Sequence, residues 1–172
     1  FMQAITDTKH LTVQTLPPIL VLTGEDVGQF EWLKKDILKK IGYDPSDLNY
    51  SYFDMKEASY AEVELDLVSL PFFADEKIVI LDHLLDLTTA KKRNLTDEDL
   101  KQFENYLENP SESTRLVIFA EGKLDSKRRL VKLLKRDAQI IEATTPKEQE
   151  VKRYFASQAQ ELGLQFEGDS LD

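Results

Sequence analysis

The sequence predicts an α/β protein with a parallel sheet packed between helices on both faces. Two features carry this: short, unbroken apolar runs recur along the chain, and stretches of helical period separate them. The first run is Ile19-Leu20-Val21-Leu22. After it Val27, Phe30, Leu33, Ile37, Leu38 and Ile41 fall at steps of three and four, and Gly42 stands where a left-handed cap ends a helix. Tyr50 to Phe53 reads as a weaker strand, and Tyr60, Val63, Leu67 and Leu70 as the stripe of a second helix. Ile78-Val79-Ile80-Leu81 follows as a strand covered on both faces. A third helix carries Leu100, Phe103, Tyr106 and Leu107 behind the capping residues Thr96 and Asp97. Leu116-Val117-Ile118-Phe119 is the next strand, Leu130, Leu133 and Leu134 mark a fourth helix after a cap at Ser126, and Ile140-Ile141 completes the sheet.

Strand-like runs stop there. Thr144-Thr145-Pro146 reads as a connector and helix start, and Val151, Phe155, Ala159 and Leu162 form one face of a helix ended by Gly163. Asp169-Ser170 reads as the cap of a further helix, which suggests a second domain cut short. Residues 1–15 offer only Ile5, Leu11 and Val13 as contacts and are expected to be a loosely attached arm or short helix. Phe1 precedes Met2, which reads as an initiator, so Phe1 is expected to carry no function.

Composition narrows the function classes. The 172 residues, 41% of them hydrophobic, suffice for a full domain core. Lys and Arg total 22 against 32 Asp and Glu, a net 22 − 32 = −10, which disfavours an independent binder of nucleic acid or anionic membrane and points to protein partners. The absence of cysteine removes disulfides, thiolate nucleophiles and cysteine-based zinc sites, and fits a cytoplasmic protein. The longest apolar run, 17–22, is far short of the roughly 20 residues that cross a bilayer, so no membrane role is expected.

A parallel sheet raises the question of a nucleotide held after the first strand. The loop Thr23-Gly24-Glu25-Asp26-Val27-Gly28-Gln29-Phe30-Glu31 lacks the Lys and hydroxyl that a phosphate loop requires, with Gln29, Phe30 and Glu31 where Gly, Lys and Ser/Thr should stand. No cofactor, metal or catalytic residue is expected. An alternative reading takes Glu25, Asp26, Asp82 and Lys123 as the magnesium and phosphoryl site of a phospho-receiver signalling domain, with Asp82 accepting the phosphoryl group. Against it, Ala120 replaces the expected hydroxyl, and an acid after a strand is ordinary. His10 and His83 are far apart and lack triad partners.

Two segments suggest surfaces. From Lys123 to Arg136 seven basic residues meet one Asp, a local 7 − 1 = +6; Lys127, Arg128, Arg129 and Lys132 form either a solvated helix face or one turned toward another subunit or DNA. In Ser69-Leu70-Pro71-Phe72-Phe73-Ala74-Asp75, adjacent aromatics follow a helix-ending proline. They either pack beneath the loop or project as an apolar anchor of the kind that dominates protein interfaces.

The blocks Leu-Thr-Gly-Glu-Asp at 22–26, Phe53-Asp54, Ser-Leu-Pro-Phe-Phe-Ala-Asp-Glu-Lys-Ile-Val-Ile-Leu from 69, and Lys-Leu-Asp-Ser-Lys-Arg-Arg-Leu-Val-Lys-Leu-Leu-Lys from 123 resemble the delta subunits of bacterial DNA polymerase III clamp loaders in order and spacing. The resemblance spans about 16–172, the N-terminal half of that family. It implies an AAA+-type, ATPase-like α/β domain without a working phosphate loop at 16–144. The start of a small helical lid at 145–172 follows, without the collar domain. It further implies a noncatalytic subunit of DNA polymerase III, itself a nucleotidyltransferase, that works in DNA replication. Such a subunit binds the sliding clamp (beta subunit) and other clamp-loader subunits, meets DNA only indirectly or within the complex, and opens the ring for loading onto primed DNA. The family's apolar clamp-binding wedge falls on Leu70, Phe72 and Phe73.

Overall fold

A computed structural model of the chain describes residues 2–72 and 74–144. The expected lid at 145–172 and Phe73 lie outside the described residues. The elements run α1 (Met2–Thr8), β1 (Ile19–Gly24), α2 (Val27–Lys40), β2 (Tyr50–Asp54), α3 (Tyr60–Val68), β3 (Lys77–Asp82), α4 (Asp97–Glu108), β4 (Thr114–Glu121), α5 (Arg129–Asp137) and β5 (Gln139–Ala143). All five strands are parallel, in the order β2-β3-β4-β1-β5.

Strict alternation along the strands divides the core in two. Ile19, Val21, Val79, Leu81, Leu116 and Ile118 face α3, α4 and α5, where Val63, Phe103 and Leu134 meet them. Leu20, Leu22, Ile78, Ile80, Val117 and Phe119 point the other way, onto Ala4 of α1 and Phe30, Leu33 and Ile37 of α2. The expected α/β sheet between helix layers is therefore present. Unbroken apolar runs mark its interior because each buried aliphatic side chain contributes roughly 1.5–3 kcal/mol on either face.

Helix ends follow local chemistry. Thr96 and Asp99 exchange bonds in a reciprocal capping box that starts α4. Gly42, at φ 71°, closes α2 in a Schellman turn: its N–H reaches Lys39 O at 3.1 Å and the Tyr43 N–H reaches Leu38 O at 2.9 Å.

Three expectations need correction. Residues 2–15 include the short helix α1, one of the two expected forms, but they are docked rather than loose: Ala4, Thr8 and Leu11 are buried, and Lys40 Nζ donates to Thr8 O at 2.9 Å, while Val13 is exposed. A small residue such as Ala4 anchors by permitting close approach, which apolar patterning undervalues. Val27, the first residue of α2, is 59% exposed, and the buried face of the helix is formed by Phe30, Leu33 and Ile37. The N-cap of α5 is Arg128, not Ser126; Asp125 first closes a turn through the Lys127 N–H and Arg128 N–H. Between β3 and α4 the chain also makes a long loop with a short 3-10 turn, Leu85–Leu87, that no period announced.

Gly24 sits at φ +127°, and a Cβ there would lie 2.1 Å from the Ala143 carbonyl oxygen. Gly24→Ala should destabilise the domain by at least about 2 kcal/mol in denaturant unfolding. Gly28→Ala, whose Cβ meets nothing closer than 3.7 Å, should be neutral or stabilising by up to about 1 kcal/mol.

Candidate protein-binding site

Helix α3 begins at Ser59, whose hydroxyl accepts from the Glu62 N–H, and buries Tyr60, Val63 and Leu67. It ends at Ser69 in extended conformation, and Pro71 bars further helix and biases Leu70 toward extended backbone. The segment after it is held at both ends. Lys77, the first residue of β3, is buried and donates to the Asp66 carbonyl and to Ser69 Oγ at 2.7 Å, with Asp66 Oδ1 at 3.5 Å, so a cation closes the negative end of α3. Arg115 of β4 grips Glu76 at 2.8 and 3.2 Å and also donates to the Leu16 carbonyl. The Arg115 hydrogen bond holds the Glu76 carboxyl below its ordinary value.

Between these clamps Leu70 is 73% exposed and Phe72 90% exposed. A side chain of Phe size left in water forgoes roughly 2–3 kcal/mol of burial. Phe72 thus projects from the loop, and Phe73 lies outside the described residues. Sequence reasoning missed the rest of this surface. Leu65 and Val68 are exposed on the outer side of α3, and Leu48 is exposed before β2. Leu48, Leu70, Pro71 and Phe72 line one shallow groove with Lys77 at its base. The signal was available in the out-of-phase spacing of Leu65 and Val68 against the buried Tyr60, Val63 and Leu67.

The connection after β1 is unlike a phosphate cradle. Only Glu25 and Asp26 join Gly24 to α2, Asp26 Oδ1 accepts the Gln29 N–H at 3.0 Å, and Gly24 exchanges backbone bonds with Gly122 at 2.9 and 2.7 Å. The first turn of α2 is closed by the chain's own carboxylate.

The receiver alternative fails on placement. Asp82 ends β3, is 3% exposed, and is occupied by Lys34 Nζ at 2.6 Å, the Tyr52 hydroxyl and the His83 N–H at 2.8 Å. Burial, and then the Asp82 carboxylate, push the Tyr52 hydroxyl up. Strand β4 lies between β3 and β1, which separates Asp82 from Glu25 and Asp26 by two strand spacings, about 9–10 Å. Among the described residues no cluster of acids and histidines is arranged to hold a metal. His83, at φ 57°, bonds Asp54 Oδ1 at 2.9 Å. Desolvation works to raise the Asp54 carboxyl, but the Lys56 backbone N–H and the His83 ring together hold it below the ordinary value.

The basic helix is less free than its composition suggests. Arg128 is mostly buried against Asp125 at 3.4 Å, and Arg129 pairs with Glu108 at 3.1 Å and Glu104 at 3.6 Å. Lys127 and Lys132 are exposed and make no ion pair among the described residues. Of the four expected residues, the two arginines therefore serve α5 and α4 first.

Fold and site together define a parallel α/β domain with a closed turn after its first strand and an exposed apolar ridge after α3. Residues 20–144 match the family described as DNA polymerase III, delta subunit, and the chain belongs to that family. DNA polymerase III subunit delta of Bacillus subtilis (strain 168) is 27% identical over 137 residues, covering 78% of this chain and 40% of that protein. The solved DNA clamp loader delta protein of Bacillus subtilis superposes with a TM-score of 0.71 at 24% identity, over 92% of this chain and 47% of that one. A DNA polymerase III gamma subunit-related protein from Thermotoga maritima shares the fold at TM-score 0.51 and 16% identity, over 94% and 53%. The chain thus spans less than half the length of the delta proteins it matches.

Lys77→Met keeps the buried stem but removes the ammonium from the end of α3. It should cost roughly 1–3 kcal/mol and speed amide hydrogen exchange at 67–69, read by mass spectrometry. Calorimetry with magnesium and ATP should give no binding heat at micromolar concentrations, since the closed turn at Gly24 offers neither Lys nor hydroxyl. Saturable heat would overturn that reading of the loop.

Proposed function

We propose that the chain is the clamp-binding part of a noncatalytic clamp-loader subunit, which engages the sliding clamp through Leu70 and Phe72, with Phe73 beside them. In this reading it is a component of DNA polymerase III that opens the ring for loading onto primed DNA. The observation that carries the reading is the exposure of Leu70 and Phe72 on a loop held by the buried Lys77 and by the Arg115–Glu76 ion pair. Such a loop loses little freedom on docking, so most of the burial energy of the anchor appears as affinity. Membership in the DNA polymerase III delta-subunit family supports this choice of partner. Other loader subunits would join through parts of the protein beyond this chain, and DNA would be met within the assembly.

Opening demands more than binding. The wedge shifts the ring toward an open form only by the difference in its affinity for open and closed clamp. A groove that accepts Phe72 more deeply when the neighbouring interface is sprung would supply that difference.

The test is calorimetry against the sliding clamp of the same organism. Leu70→Ala with Phe72→Ala should weaken binding by thirtyfold or more, the effect of losing about 2 kcal/mol at an interface anchor, while the thermal transition stays cooperative and near its original midpoint. Unchanged affinity would remove the ridge from the interface. Release of clamp from circular DNA, measured with the same variants, reads opening separately from binding.

A further inference from the structure

Strand β2 forms one free edge of the sheet, with β3 as its only strand neighbour. Its inner ladder is fixed by the Ile78 N–H, which donates to Asn49 O, and the Met55 N–H, which donates to Asp82 O, each at 2.9 Å. Backbone groups alternate in direction along a parallel strand, so Asn49, Ser51, Phe53 and Met55 turn theirs toward β3, and Tyr50, Tyr52 and Asp54 turn theirs outward. Local turns use two of the outward groups. The Tyr50 N–H donates to Asp47 O at 3.1 Å, and Asp54 O accepts from the Glu57 and Ala58 N–H groups at 3.0 and 2.8 Å. The Tyr50 carbonyl, both backbone groups of Tyr52 and the Asp54 N–H make no hydrogen bond among the described residues.

An open edge usually carries a device against further pairing, such as a charge, a proline or a bulge. Over residues 50–53 β2 has none: they read Tyr-Ser-Tyr-Phe, their register with β3 is unbroken, and all are half-buried. The opposite edge strand, β5, exposes Glu142. The Tyr43 ring lies 5.9 Å from that of Tyr50 and 5.4 Å from that of Tyr52, which builds an aromatic wall beside the β2 edge. Aromatic and β-branched side chains pair well across such strands.

Charge selects the occupant. Within residues 43–58 the carboxylates Asp44 and Asp47 precede the strand and Asp54 and Glu57 stand at its end, against the single cation Lys56. We propose that β2 accepts an added strand from a partner protein, an extended segment that is β-branched or aromatic at its centre and carries Lys or Arg at both ends. A second copy of the chain, added antiparallel, would set the acids after one strand against those before its mate, in a molecule of net charge −10. A basic-ended segment meets attraction at both places. The edge is available to it whether or not the ridge engages a clamp.

The test is NMR of the 172-residue chain titrated with the capped peptide acetyl-Lys-Thr-Val-Tyr-Val-Thr-Lys-amide. Saturable shifts should centre on 50–54, and the Tyr52 and Asp54 amides should gain protection from hydrogen exchange, while those of Ser51 and Phe53 are protected throughout. N-methylation of the peptide should weaken binding by about tenfold or more at alternate residues only, those whose N–H faces β2. Exchanging both terminal Lys for Glu should weaken low-salt binding by about tenfold or more. Tyr52→Pro removes an outward N–H and should abolish binding, whereas Tyr52→Val keeps that N–H and should bind within about threefold of the unaltered chain. Both variants should keep a cooperative thermal transition; if Tyr52→Pro does not fold, the N-methylated peptides decide on the unaltered chain. Absence of saturable shifts, shifts centred elsewhere, equal losses from N-methylation at every residue, or a Glu-ended peptide bound as tightly would overturn the proposal. So would a dimer of the unaltered chain that Tyr52→Pro dissociates, since the edge would then belong to a second copy. Leu70→Ala with Phe72→Ala should leave peptide affinity unchanged, so that failure of clamp binding and failure of strand addition are read separately.

Discussion

Strand β3 is enclosed on both sides by neighbouring strands and on both faces by helices and loops, and each end carries a buried charge. Lys77 and Asp82 are too costly to bury unmatched, so each draws a set of partners toward the strand. Lys77 collects the last turn of α3 through Asp66 and Ser69, and Asp82 collects Lys34 from α2 and Tyr52 from β2. The apolar stretch between them secures the sheet, and the charges decide what sits above its two ends. At one end that is the exposed ridge. At the other it is a closed polar knot.

This arrangement separates stability from recognition. The ridge residues Leu70 and Phe72 are exposed and contribute little to the core, yet their placement depends on Lys77 and on the Arg115–Glu76 pair. A similar economy appears at 83–96, where the single carboxylate of Asp86 organises a loop without secondary structure beyond one 3-10 turn. In both places a buried ionic group shapes an exposed segment.

Strands β1, β3 and β4 were legible because two-sided burial writes continuous apolar runs, and α2 and α4 because their caps use local chemistry at Gly42, Thr96 and Asp99. Leu70 and Phe72 were legible as candidates from Pro71 and the aromatic pair that follows it, although the residues alone left their direction open. The pairing of Arg129 with Glu104 and Glu108 was not legible, since it requires α4 and α5 to be neighbours. Nor was the docking of α1 through Ala4, or the cap of α5 at Arg128 in place of Ser126, where a turn built on Asp125 takes precedence over hydroxyl propensity. Contacts within four residues leave a mark in sequence; those made between elements leave composition without position.

The ridge has a colloidal consequence. Leu65, Val68, Leu70 and Phe72 expose apolar surface at one end of a helix, and two such ridges can cover each other as readily as they cover a partner. The excess of ten negative charges opposes that encounter over roughly a Debye length, about 8–10 Å at ordinary ionic strength. Raising the salt concentration weakens the repulsion while leaving the apolar attraction in place. Dispersion of the protein at high concentration therefore depends on ionic strength, with self-association favoured as the counterion atmosphere tightens.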